Sequence, residues 1–204
     1  MAVSVVTAAT AESLTAEEIR AWLRMESQDE DSLIESTFKA CREYAETVCK
    51  RRLINTTMRL SMLGFYDKRY AGKEDGLWTI RVPEPPLQSV SSVTYLDSNG
   101  TSTVLASSDY SVDIYAEPGR ITPAYNTVWP ETRHIRNSVT IQYVAGYGGA
   151  SATLAQSIAA VPESVNLFLK FAVAGVLEKR EPSAEASCKA VEYLLDPVQW
   201  GSYV

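Results

Sequence analysis

The chain has 204 residues, 46% of them apolar and 22% charged, with a formal net charge of -6 at pH 7. These fractions exclude a largely disordered protein and fit either one full core or a helical unit carrying a β insertion. The acidic balance argues against a nucleic-acid grip, because neutralising phosphates takes clustered Lys and Arg, and here the basic residues are interleaved with acids.

The first ten residues lack the basic and long apolar regions of a secretory signal. No later apolar run nears the ~20 residues that cross a bilayer, so the chain is expected to be soluble and intracellular when made. The first helix is announced by Thr15 and, three residues on, Glu18, a capping box with Leu14 and Ile19 as its hydrophobic staple. Ile19, Trp22 and Leu23 form its apolar face, and it ends near Met25 before a polar turn, Glu26 to Asp31. A longer helix is expected from about Asp31 to Arg52, with Ile34, Phe38, Cys41, Ala45 and Val48 along one seam. Acids at 29–31 and the bases Lys50, Arg51 and Arg52 at the far end suit its dipole. With no interleaved aromatic residues, those bases read as a solvated helix end and not as a phosphate site.

From Ile54 to Val144 the apolar period becomes two: Trp78, Ile80, Val82; Val93, Tyr95; Tyr110, Val112, Ile114; Val139, Ile141, Tyr143. These predict strands of a small antiparallel sheet or barrel. Asp97-Ser98-Asn99-Gly100 predicts a hairpin with a type I′ turn. Pro83, Pro85 and Pro86 mark a connection or an edge. Tyr66 to Gly76 reads as a mobile loop, and Gly146 to Ala160, rich in small residues, as a flexible crossing back to the helical part; both are expected to become fixed when neighbours arrive. Pro162 suits the first turn of a helix whose face, Val165, Phe168, Leu169, Ala172, Val173, Val176 and Leu177, is wide enough for the centre of a core. Pro182 ends it. A last helix is expected from about Ala184 to Leu195, presenting Val191, Leu194 and Leu195 and stopped by Asp196-Pro197, and a tail holds Val198, Trp200 and Tyr203.

Candidate chemistry is sparse. Cys41, Cys49 and Cys188 match no metal-ligand spacing; Cys41 and Cys188 read as small apolar residues on helical faces in a reducing compartment. His134 stands in a polar loop and reads as solvated. Asp109 and Asp113 share one face of an extended chain, yet ~13 Å separates them, wide for a pair of hydrolytic carboxylates. They read instead as a turn cap and a solvated strand end; Asp97 and Glu84 are a second pair. No catalytic, cofactor-binding or metal residue is expected. A ligand- or carbohydrate-binding β module would use Tyr110, Tyr115, Tyr125, Trp129, Tyr143 and Tyr147, residues that also serve simply as strand formers.

Taken in order, several segments resemble one family. They are Leu14-Thr15-Ala16-Glu17-Glu18, Asp31-Ser32-Leu33-Ile34-Glu35 running into Tyr44-Ala45-Glu46, and Pro86 to Asp97. Next come Asp109 to Asp113, Pro118-Gly119-Arg120-Ile121, Trp129-Pro130, and Val139-Thr140-Ile141 with Ala145-Gly146-Tyr147-Gly148. Val161-Pro162-Glu163, Glu178 to Glu181 and Leu194-Leu195-Asp196-Pro197 complete the series. Together they are similar to the head-tail connector, or adaptor, proteins of long-tailed bacteriophages and related gene transfer particles.

The resemblance implies an α+β fold: residues 1–53 and 161–204 form a helical bundle, and 54–160 form an inserted antiparallel β domain. It implies a structural virion protein, not an enzyme, made in the bacterial host cytoplasm and placed in the neck. Copies would join in a ring, twelve-fold like the portal protein above it, extend the DNA channel without holding DNA specifically, and dock a neck or tail completion protein. The chain departs from the commoner pattern in longer segments at 65–76 and 149–160. Portal attachment is expected at the tail, through Trp200, Tyr203 and Val198, large apolar bodies of interface type. The alternative is that Trp200 folds back on the subunit's own core.

Overall fold

A computed structural model of the chain describes residues 3–74, 76–149, 152–179, 189 and 191–200. The fold is α+β, with helices toward both ends of the chain and two antiparallel sheets between them. In chain order the elements are β1 (Val3–Thr7), α1 (Ala16–Leu23), α2 (Asp31–Cys49), β2 (Thr56–Met62), β3 (Ala71–Glu74), β4 (Leu77–Arg81), β5 (Leu87–Leu96), β6 (Ser102–Leu105), β7 (Tyr110–Asp113), β8 (Arg120–Pro123), β9 (Val139–Ala145), α3 (Leu154–Ala159) and α4 (Glu163–Lys179). A 3-10 turn at Ser107–Asp109 precedes β7, and a 3-10 helix, Glu192–Val198, follows α4.

The capping box forms as the sequence predicts: the Glu18 amide donates to Thr15 Oγ1 at 3.2 Å, and the Thr15 amide donates back to the Glu18 carboxylate at 2.7 Å. Those bonds pull the Glu18 carboxyl below its usual range, and Arg24, in the left-handed conformation, closes the helix. α2 buries Ile34, Phe38, Cys41, Ala45 and Cys49. They meet Val165, Phe168, Leu169, Ala172 and Val173 of α4, with Ile19 of α1 and Leu195 and Val198 of the 3-10 helix. Each fully buried Ile, Leu or Phe here contributes about 1.5–3 kcal/mol relative to exposure. Pro162 opens α4, its carbonyl accepting from the Val165 and Asn166 amides.

The larger sheet has the order β1-β2-β9-β5-β6 and the smaller β3-β4-β8-β7. β2 and β9 alternate strictly between buried and partly exposed positions, and their register sets Met58 against Tyr143, Leu60 against Ile141 and Met62 against Val139. These side chains share one core with Ala71 and Ile80 of β3 and β4, Val93 and Leu105 of β5 and β6, and Ile121 of β8. Phe65 and Trp129 stack within it, ring centroids 4.8 Å apart. Where β9 leaves the sheet, Gly146 has φ +143°, and a Cβ there would stand 2.7 Å from the Asn55 amide nitrogen, so only glycine fits.

Several local expectations are corrected. Val3–Thr7, to which the sequence reading assigned no element, is an edge strand on β2. The segment Tyr66 to Gly76 is not a loop throughout: Ala71 to Glu74 pair with Leu77 to Ile80. Asp67 organises its entry, accepting from the Leu63 amide and from Arg69. The crossing at 146–160 contains α3, whose own capping box joins Thr153 and Gln156. The Asp97–Gly100 hairpin forms, but Gly100 alone has positive φ there. The Gly100 amide donates to the Asp97 carbonyl at 2.9 Å, and the Thr101 amide donates to the Asp97 carboxylate at 2.8 Å. That is a type I turn followed by a left-handed glycine, since a three-residue connection needs one such residue where the I′ turn needs two. Finally, Pro197 lies inside the 3-10 helix instead of stopping a helix before it; the expected start of that helix at Ala184 lies outside the described residues.

The bases ending α2 are also corrected. Arg51 pairs with both oxygens of Glu117, and Arg52 bonds Glu84 at 2.5 Å and Glu46 at 2.8 Å. Glu46, only 4% exposed, also receives Arg42 at 3.0 Å and the Leu53 amide at 3.1 Å, while Arg42 reaches Glu12 at 2.6 Å. Arg51 and Arg52 are therefore half-buried clamps and not part of a solvated end, whereas Lys50 is exposed as expected. Replacing Glu46 by Ala removes one charged partner from the buried Arg42 and the half-buried Arg52, which keep Glu12 and Glu84, and leaves the Leu53 amide without its acceptor, so it should lower unfolding stability by about 1.5–3 kcal/mol. A urea melt of E46A against the wild type checks this; a loss below about 1 kcal/mol, the worth of an exposed pair, would show the cluster to be ornamental.

Candidate functional site

Residues 198–200, the described part of the tail expected to attach the chain to a larger assembly, lie across the C-terminal end of α2. The Trp200 amide donates to the Cys49 carbonyl at 3.0 Å, and the Gln199 side chain donates to the Val48 carbonyl at 3.3 Å. These are the carbonyls a helix end leaves without internal partners, so the tail acts as the helix's cap. Val198 faces inward and is buried in the helical core. Trp200 is half-buried and lines an open cleft of about 340 Å³ with Glu46, Thr47, Lys50, Arg52, Pro83 and Glu84. Of the three expected interface residues, Val198 thus serves as an internal anchor, Trp200 sits at the surface, and Tyr203 lies outside the described residues. The backbone of residues 199 and 200 is tied to α2, and the Trp200 side chain is half-buried.

At the opposite end of the sheets, away from the helices, Leu63, Tyr66, Leu77, Tyr125, Val128 and Ile135 are all exposed. They gather there because β2 ends at Met62, β4 begins at Leu77, β8 ends at Pro123 and β9 begins at Val139. Tyr66 packs edge-on to Trp78 with centroids 5.0 Å apart, and the Trp129 ring nitrogen donates to the Trp78 carbonyl at 3.0 Å. A shallow depression of about 500 Å³ beside Tyr66 is lined by Ser98, Arg133 and His134 among others. The sequence signal for this end was present in single residues, but only strand direction brings them together.

The weaker chemical candidates stay apart. Asp109 ends the 3-10 turn, and Asp113 is the turn cap, its carboxylate accepting from the Tyr115 and Ala116 amides at 2.9 and 3.2 Å. Asp97 caps the hairpin and Glu84 is held by Arg52. Tyr143 and Trp129 are buried, and burial pushes the Tyr143 hydroxyl up, leaving it a donor to the Pro83 carbonyl. Tyr115 and Tyr125, 92% and 99% exposed, stand at opposite ends of the β7–β8 hairpin. The tyrosines therefore form no single ligand platform. Cys41 and Cys49 are buried, and burial pushes the Cys49 thiol up to about 11, so it stays protonated at neutral pH; Cys188 lies outside the described residues. Among the described residues no group of three His, Cys, Asp or Glu side chains could hold a metal ion, and no helix is long and apolar enough to cross a membrane.

The chain thus presents loops and sheet edges on a frame of two sheets and helices. No protein-family model and no curated protein matches the chain. Three solved structures share its fold over 100% of its length and 98% of theirs. One is from the neck of an empty GTA particle computed with C6 symmetry, with a TM-score of 0.73 at 19% identity. Another is from the virion of the native gene transfer agent particle, at 0.70 and 20%. A third is from the neck of the native GTA particle computed with C12 symmetry, at 0.69 and 21%.

The Arg69 guanidinium and the Leu63 and Arg69 amides hold the Asp67 carboxyl down at about 2, from an ordinary value of 3.8. Because the folded value is depressed, Asp67 stabilises the start of the distal loop fully above the unfolded value, and that contribution fades as pH falls toward 2. An Asp67→Asn variant should be less stable than the wild type at neutral pH, with the gap closing in acid. Thermal melts across that range check it; a gap independent of pH would show that the charge plays no part.

Proposed function

We propose that the chain is a structural subunit of a particle neck: a head-tail connector that joins copies of itself in a ring, sits beneath a portal and carries the next neck or tail protein below. The observation that carries this reading is a fold shared end to end with neck structures of gene transfer agent particles. On this reading the helices of the two ends of the chain, 1–53 and 161–204, build a helical bundle and 54–160 an inserted β domain, to whose larger sheet the first segment also lends β1. The copies sit in the virion neck, twelve to a ring to match the portal, and the chain catalyses nothing. An acidic subunit repeated around a channel repels phosphate within the ~8–10 Å that salt leaves unscreened, which suits a conduit through which DNA slides. The exposed apolar loops at the distal end of the sheets are the surface for the neck or tail protein, and Trp200 with Tyr203 the surface for the portal.

Electron microscopy of the purified protein mixed with portal-bearing capsids should show a ring stacked on the portal; bare portals after saturating addition would overturn the reading. Removing residues 201–204 together with Trp200→Ala leaves Val198 and the helical core intact. That variant should keep the wild-type melting transition and lose capsid binding in a pull-down. Undiminished binding would move the portal contact elsewhere on the subunit.

A further inference from the structure

The five-stranded sheet ends in β1 on one side and β6 on the other, and each is paired along one side only. Among the described residues no other strand takes either outer edge, so both present rows of backbone donors and acceptors. Soluble proteins usually guard such edges with charge or proline. β1 reads Val-Ser-Val-Val-Thr and β6 Ser-Thr-Val-Leu, with neither. Both are rich in β-branched residues, with Val6 and Val104 exposed, 41% and 65%. The edges of the smaller sheet differ: β3 carries Lys73 and Glu74, and β7 ends in Asp113. The unguarded pair belongs to one sheet alone.

Four antiparallel steps separate β1 from β6, so the two run in the same direction. A second copy related by rotation about an axis along the strands would bring its β1 beside the first copy's β6 in parallel, both edges being free. Such a contact is heterologous: each copy offers one edge and accepts the other, so it does not stop at two, and it closes into a ring when the rotation divides a full turn. Pairing β1 with β1 would instead consume the same edge on both copies and end as a dimer.

We propose that β6 of one copy pairs with β1 of the next, so that the larger sheet runs on from subunit to subunit around the ring. This rests on the reading of the chain as a ring-forming subunit and names the surfaces that join it. Parallel pairs are slightly weaker per residue than antiparallel ones, and four or five residues make a short ladder. A single contact is therefore weaker than the closed ring, in which each copy is held at both edges, and its dimer is seen at the upper end of a concentration series.

The test uses the full chain in solution, with mass read by light scattering over a concentration series. The wild type should show species larger than a dimer; a wild type that stays monomeric throughout overturns the edge pairing. Val6→Lys on β1 and Val104→Lys on β6 should each abolish those species, while Val6→Thr and Val104→Thr, neutral and β-favouring, keep them. Mixing the two lysine variants leaves one intact β6 and one intact β1, and should give a one-to-one dimer and nothing larger. Rings that persist in either lysine variant, or a mixture with no dimer although circular dichroism shows both variants folded, overturn the proposal. Rings that persist would leave the neck reading standing, since that reading is decided separately on portal-bearing capsids.

Discussion

The Glu46 carboxylate is the point on which the helical and β parts of the chain are fixed to each other. One oxygen receives Arg42 and Arg52, and the other receives the Leu53 amide just past the end of α2. Arg42 extends the chain of charges back to Glu12 in the segment between β1 and α1, and Arg52 extends it forward to Glu84 in the connection between β4 and β5. Three stretches far apart in sequence are thereby held on one helix face. A buried charge left without its partners costs far more than a well-made pair gains, so the cluster enforces one mutual arrangement more than it adds stability.

Around that point the chain crosses between its two cores several times. β1 lies in the larger sheet, yet Ala9 and Leu14 behind it already pack on the helical core. On the return path, Gln88 of β5, itself buried, donates to the Gly146 and Tyr147 carbonyls at 3.0 and 2.7 Å, tying the exit of β9 to the start of β5. Arg51 and Glu117 add a bidentate contact from the end of α2 to the turn before β8. These contacts tie the helical core to the β core at points well apart along the chain.

The helices were legible because their signals are local: a cap three residues from its partner at Thr15 and Glu18, a seam at helical spacing through Ile34, Phe38, Cys41 and Ala45, and a proline at the head of α4. Strand existence was legible for the same reason in β4, β5, β7 and β9. The misreadings share a cause. Val3–Thr7 and Ala71–Glu74 are strands because a partner strand lies beside them, and nothing in their own composition marks that partner. The bases after α2 resembled a solvated terminus until Glu84 and Glu117, more than thirty residues away, were brought to them. The expected portal surface divided in the same manner: Val198 entered the core because α2 and α4 leave a place for it, and Trp200 stayed at the rim.

By itself the sequence determined the class of fold, the positions of the principal helices, the β character of the middle and the thinness of any catalytic repertoire, since each follows from composition or from contacts within a few residues. Tertiary structure alone decided which strands pair, which charges are buried, that Asp113 and not Asp109 caps its turn, and which exposed side chains gather at one end of the sheets. These depend on residues distant in sequence meeting in space, and a linear pattern carries no record of the partner's position.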